Sequence, residues 1–277
     1  MPRFEVFVPA APPALPADTT LRVEADSWLA ALRAGLEKVG VAHAPTHVLC
    51  DVQADGSIHV TDAQAGGVFR IRELVAPPPP APPSSVKGRA PAAGAGAAAG
   101  ARIGRVPAVA AAEDVLAEVF ERVADLDRRD DRKGSLAFLL DLALEKVPCE
   151  AGSVFLARLG SQVLEFAVAR GPRAQEILKL GLTVPMGVGI AGFCARENVA
   201  LAVSDVDRDP RFHREISEAV GHETRSLLCA PIARAGRVLG AMELVNRRGA
   251  VPFGPLDLAV LSYLAHRAAE LLAGLDE

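Results

Sequence analysis

Apolar and polar residues alternate through Phe4-Glu5-Val6-Phe7-Val8 and again through Thr20-Leu21-Arg22-Val23, the period of two expected of half-buried strands. Trp28, Leu29, Leu32, Leu36 and Val39 then recur at helical spacing. Asp26 or Ser27 can cap that helix and Gly40 ends it. His47 to Val52 and Ser57 to Thr61 flank Asp55-Gly56, a pair that favours a tight hairpin turn, and Val68 to Leu74 alternates once more. Residues 1–75 therefore predict a small α+β module of order ββαβββ.

The pattern stops at Ala76. Residues 76–112 hold 14 Ala, 8 Pro and 5 Gly, with Pro77 to Pro80 unbroken, a composition that builds no core and predicts a flexible linker. Periodicity resumes in residues 113–277. Leu116, Val119, Val123 and Leu126 predict a helix over Glu113 to Asp127, and a second runs from Leu136 to Val147, stopped by Pro148. Strands are predicted at Ser153 to Ala157 and Val163 to Ala169, joined by a turn at Gly160. Leu227 to Ala233 and Arg237 to Asn246 form a hairpin around Ala235-Gly236, and both are apolar on both faces, as in a central pair covered on each side. Pro255 to Leu275 is a closing helix. Its Leu261, Leu264, Ala268, Leu271 and Leu275 repeat at seam spacing, as do the apolar positions of 113–127. The two stripes either pair with each other or, as expected here, join two copies as a homodimer.

Half of the 277 residues are hydrophobic, which excludes a wholly disordered chain, although only 12 are aromatic and alanine inflates the figure. A net charge of −4 argues against a nucleic-acid partner. The four charges of the linker are all basic and are read as solvated. Cys50, Cys149, Cys194 and Cys229 form no CxxC pair, so neither a zinc ribbon nor a disulfide scaffold is expected. Nothing resembles a signal peptide, and no apolar run is long enough to span a membrane, so a cytoplasmic protein without a membrane partner is expected. His43, His47 and Cys50 have a superficial ligand spacing, but Pro45 breaks any helix that would align them, and no metal is expected.

Several motifs of the C-terminal part occur in a telling order: Gly152-Ser153-Val154-Phe155-Leu156, Gly189-Ile190-Ala191-Gly192, Asp205 through Asp209-Pro210-Arg211-Phe212, Thr224 through Ile232, and Gly240 through Asn246. Over about residues 113–275 this succession resembles a GAF domain, most closely the cyclic-nucleotide-binding members found in phosphodiesterases and adenylyl cyclases. The resemblance implies an α+β fold with a six-stranded antiparallel sheet, terminal helices on one face and a ligand pocket on the other.

By the same resemblance, Ser153, Ile190, Ala191, Thr224 and Glu243 match pocket positions, and His213 and Ser217 fall where the subgroup has an aromatic residue and an acid. Phe193 is read as further apolar lining and Asp205 as the start of a polar lid. Asn246, Arg247, Phe253 and Asp257 retain part of the subgroup's Asn-Lys-Phe-Asp-Glu signature, with Leu258 in place of the acid, and Arg247 with Asp257 keeps its internal tie. The subgroup's base-reading aspartate is missing near Ala169, and Val220 replaces a threonine. The function expected is a non-enzymatic sensor of a small ligand, a cyclic nucleotide among the candidates, with no resident cofactor. It would act through dimerisation or an unidentified signalling partner. The alternatives are a ligand-free dimerisation scaffold and a redox enzyme resembling free methionine sulfoxide reductase, for which only Cys194 and Cys229 offer a thiol pair.

Overall fold

The computed structural model describes residues 1–74, 107–124, 126 and 131–273, apart from 12, 14, 42, 159, 215–217, 219 and 220. The N-terminal strands are β1 (Arg3–Val8), β2 (Thr19–Glu24), β3 (His47–Val52), β4 (Ile58–Asp62) and β5 (Val68–Glu73), with helix α1 (Trp28–Lys38) between β2 and β3. Ser27 caps α1, its hydroxyl accepting from the Ala30 amide at 3.2 Å. The predicted ββαβββ order is the one observed.

The C-terminal part begins with helices α2 (Pro107–Val123) and α3 (Arg132–Lys146), followed by β6 (Cys149–Ala157), β7 (Val163–Arg170), α4 (Ala174–Leu180), β8 (Thr183–Pro185), α5 (Gly189–Glu197) and β9 (Ala200–Val203). A 3-10 turn at Val206–Arg208 leads towards β10 (Leu227–Arg234), β11 (Arg237–Arg247) and the closing helix α6 (Pro255–Ala273). Of the segment expected as a linker, 76–106 lies outside the described residues, and 107–112 already forms the first turns of α2.

Strands β9-β10-β11-β6-β7-β8 are neighbours in that order and all antiparallel, the six-stranded GAF arrangement. Alternation along β10 and β11 assigns the two faces. Leu228, Ala230, Met242 and Leu244 join α2, α3 and α6 in one core, whereas Leu227, Cys229, Ala241 and Val245 face α5 in another. Because both faces are covered, the middle of these strands is apolar on both sides, with Glu243 as the exception.

The sheet does not stop at β9. Strand β3 pairs with it in parallel, His47 to Cys50 against Ala200 to Val203, and the order continues β4-β5-β1-β2. The N-terminal module is thus a continuation of the GAF sheet. Its core, including Val6, Leu29, Leu32, Val48 and Ile71, runs without interruption into the cluster that holds Leu201 and Phe193. Along β3 residues alternate between faces: Cys50 is buried in this core, while Leu49, next but one to His47, packs towards the other. An odd separation in a strand sends His47 and Cys50 to opposite sides, and His43 is exposed, so the three do not converge.

The expected helical seam lies inside one chain. Leu261, Leu264 and Ala268 are fully buried in the core that also contains Val119, Val123 and Leu126. The stripes of α2 and α6 therefore serve the monomer's own packing, and Leu275 lies outside the described residues. Among the described residues no helix is long and apolar enough to cross a membrane.

Candidate functional site

The face of the GAF sheet opposite α2, α3 and α6 carries a cavity of about 480 Å³. Its floor follows from strand register. Ser153 on β6 is opposite Glu243 on β11, which in turn is opposite Cys229 on β10. All three point to the same side, and Phe155, Phe166, Leu227 and Val245 surround them with apolar surface. Two segments cover the floor. One is α5 with the loop before it, which contributes Val188, Gly189, Ile190 and Ala191; the other contributes Phe212, His213, His222 and Thr224. Arg170, Arg173 and Ile177 complete the rim.

Helix α5 is fixed by a close backbone approach. The Gly187 amide donates to the Gly192 carbonyl at 2.7 Å. A Cβ on Gly192 would come within 2.4 Å of the Pro185 carbonyl oxygen, so no other residue fits that turn. Gly189, at φ 69°, sets the helix start against His213. The N-cap is Val188, which offers no side-chain acceptor, so the first-turn amides of α5 are left for another partner.

Glu243 carries the main electrostatic feature. Burial disfavours its charge and pushes its pKa from 4.5 up to about 7, while the Cys229 thiol, donating to Oε2 at 3.6 Å, opposes this weakly. Arg225, a conceivable counter-ion, is engaged elsewhere: its Nη2 donates to Glu150 Oε1 at 2.6 Å. The rim cations are tied outward as well, Arg170 to Asp141 at 2.7 Å and Arg173 to Glu176 at 2.9 Å. Burial also raises the four thiols, Cys50 to about 11, Cys149 to about 12, and Cys194 and Cys229 well above their usual value.

Asn246 holds the approach to β10 in place. It sits at φ 56°. Its Oδ1 accepts from the amides of Arg225 at 2.7 Å and Ser226 at 3.3 Å, and its Nδ2 donates to Glu150 Oε2 at 2.7 Å and the Glu223 carbonyl at 2.8 Å. Thr224, beside these anchors, is thereby fixed at the cavity wall. Arg247 Nε donates to Asp257 Oδ2 at 2.8 Å, which also accepts from the Gly254 amide at the start of α6. Phe253 is buried next to this pair. The tie expected between Arg247 and Asp257 is present.

The structure thus gathers Ser153, Ile190, Ala191, His213, Thr224 and Glu243 around one cavity. Phe193 and Asp205 are not among its lining residues. Phe193 lies about half a turn round α5 from Ala191, and its ring stacks on Trp28 of α1 with centroids 5.8 Å apart. Asp205 caps the 3-10 turn, accepting from the Asp207 amide at 3.2 Å, and pairs with Arg208. The segment expected as a polar lid is largely packed, with Val206 and Asp209 buried. Ser217 and Val220 lie outside the described residues. Sequence reasoning missed Phe155, Phe166, Arg170, Arg173, Ile177 and His222; only the strand register of the first two was open to it.

The pattern of the GAF domain family matches residues 131–272. A cGMP-specific 3',5'-cyclic phosphodiesterase of Drosophila mojavensis is 32% identical over 99 residues, covering 35% of this chain and 8% of that protein. Its counterpart in Drosophila melanogaster is 28% identical over 123 residues, covering 40% of this chain and 11% of the relative. The chain thus spans about a tenth of the length of these relatives. Among solved structures, the GAF domain of a phosphoenolpyruvate-protein phosphotransferase from Coxiella burnetii superposes with a TM-score of 0.53 at 18% identity, over 60% of this chain and 96% of that one. The equivalent Acinetobacter domain gives 0.50 at 14% identity, over 60% and 95%. With the six-stranded sheet, the helical face and the family pattern in agreement, the chain belongs to the GAF domain family.

Proposed function

We propose that this protein is a non-enzymatic sensor whose GAF cavity takes a cyclic nucleotide. The observation that carries the reading is the cavity itself: about 480 Å³ with apolar walls, the uncapped start of α5 on one side and the Glu243 carboxyl on the floor. The size falls within the roughly 300–1,000 Å³ of small-molecule sites. A planar base would lie against Phe155, Phe166 and Ile190, and the cyclic phosphate would meet the first-turn amides of α5. The cGMP phosphodiesterase relatives support this class of ligand. A catalytic thiol must be a thiolate to attack, and burial keeps the four cysteines protonated at neutral pH, which favours sensing over sulfoxide reduction.

One observation favours the scaffold reading. Ala169, opposite Ser153, brings no carboxylate to the floor where the cyclic-nucleotide subgroup has its base-reading acid. Thermal unfolding with cGMP, cAMP and neither separates the two readings. A bound nucleotide raises the melting temperature by mass action, and Thr224→Ala weakens its affinity by about tenfold, the loss of one hydrogen bond. If neither nucleotide shifts the transition, the scaffold reading replaces the cyclic-nucleotide one. The proposed partner in either case is a second copy of the chain, meeting α2 and α6 outside the buried stripes. There Phe120, 52% exposed, packs on Tyr263 at 4.2 Å between ring centroids.

A further inference from the structure

Both elements that cover the cavity have their backs against the N-terminal module. Helix α5 offers Ile190 and Ala191 to the cavity and Phe193 and Glu197 to α1. Arg33 of α1 donates to Glu197 Oε2 at 2.9 Å and to the Glu197 carbonyl at 3.0 Å, completing the C-terminal end of α5. The second covering segment behaves alike. Phe212 and His213 line the cavity, while the preceding Arg211 turns to the module and places its guanidinium 5.0 Å from the Trp28 ring centroid and 4.7 Å from that of Phe193.

The cation is held there by Asp209. Arg211 Nε donates to Asp209 Oδ1 at 2.8 Å and Nη2 donates to Oδ2; the Arg211 amide adds a third bond to Oδ1 at 2.9 Å. The Asp209 side chain is fully buried and that of Arg211 is 11% exposed. A desolvated, forked ion pair has few alternative positions, because any shift leaves a buried charge without its partner. Cys50 of β3 lies against the same guanidinium. Four groups from two parts of the chain thus meet at Arg211, one residue from the cavity wall.

We propose that Arg211 is a positioning residue that makes the N-terminal module part of the sensor: docking of α1 sets the conformation of both α5 and the 209–213 segment, and a change in the cavity is passed back to α1. The consequence for sensing rests on the reading of the cavity given above, but the coupling itself can be tested without a ligand. Reciprocity is required, since a coupling free energy acts equally in both directions.

The experiment is hydrogen exchange on the full chain carrying Arg211→Lys or Arg33→Ala. Arg211→Lys keeps the charge and loses the planar fork and its stacking. It should accelerate exchange about tenfold in α1, across the junction from the substitution, with β6 and β11 unchanged. Arg33→Ala, a change at a partly exposed residue of the module, should accelerate exchange at 190–197 and 209–213 in the same way. Acceleration confined to the element that carries the substitution overturns the proposal. Acceleration spread evenly over β6 and β11 also overturns it, because that marks general destabilisation.

Discussion

Replacing Glu243 by glutamine tests the electrostatics of the cavity floor with little change of shape. The carboxyl is held at about 7 in the folded protein against 4.5 as the ordinary value. Between those values the folded state retains a proton that the unfolded state has lost, so stability falls as pH rises. Linkage puts the cost of ionised Glu243 at roughly 3 kcal/mol at pH 8 and at roughly 1 kcal/mol at pH 5. Glutamine has no such cost. Glu243→Gln should therefore be more stabilising at pH 8 than at pH 5 by roughly 2 kcal/mol, less whatever water in the cavity relieves. Urea unfolding of both proteins at the two pH values reads this directly, through the midpoint at constant slope. Equal effects at both pH values would show that Glu243 titrates normally, and the argument from burial would fail.

Other substitutions probe the frame around the cavity. Asn246→Ala removes four hydrogen bonds and leaves a Cβ-bearing residue without them at φ 56°. It should cost about 2–4 kcal/mol by denaturant unfolding, and a loss below 1 would contradict the anchoring role. Leu264→Glu buries a charge in the α6 core, so circular dichroism should show loss of the fold at 37 °C; a folded monomer would instead restore the seam to the protein surface.

What was legible in the sequence followed from short-range rules. Period-two alternation found β1, β4 and β5; Ser27 and Gly40 bracketed α1; and the doubly apolar runs of β10 and β11 marked the centre of the sheet. The GAF motifs located Ser153, Ile190, Ala191, Thr224 and Glu243 because each is fixed by a strand, a glycine turn or, for Thr224, the Asn246 bonds to its two neighbours. Elements with no pattern of their own escaped. Strand β9 is only four residues and β8 only three, too short for a period to register, and α4 buries none of its residues. Phe193 shows the limit of composition: an apolar residue next to Ile190 and Ala191 reads as cavity lining until the helix turns it to Trp28. The seam of α6 shows another, since heptad spacing is equally the signature of a helix packed on its own sheet.

Strand pairing across the junction has a consequence for solubility. Ala200 to Val203 are all buried, an apolar edge that a GAF sheet ending at β9 would leave open to any passing strand. In this chain β3 covers it, and the free edge moves to β2, where Thr20, Arg22 and Glu24 are exposed. At the opposite end β8 is short and ends in Pro185, which also discourages pairing. The module and the GAF part should therefore need each other even without the covalent connection. A protease site placed between residues 76 and 106, cut in the purified protein, should leave the half that holds residues 1–75 and the half that holds residues 107–277 associated on size exclusion at roughly tens of micromolar. Parallel pairing, the Arg33–Glu197 contact and the Trp28–Arg211–Phe193 cluster hold them. The 107–277 fragment made alone should self-associate through β9. Separation of the cut halves into two soluble monomers would refute the argument, because it would show that the edge tolerates water without β3.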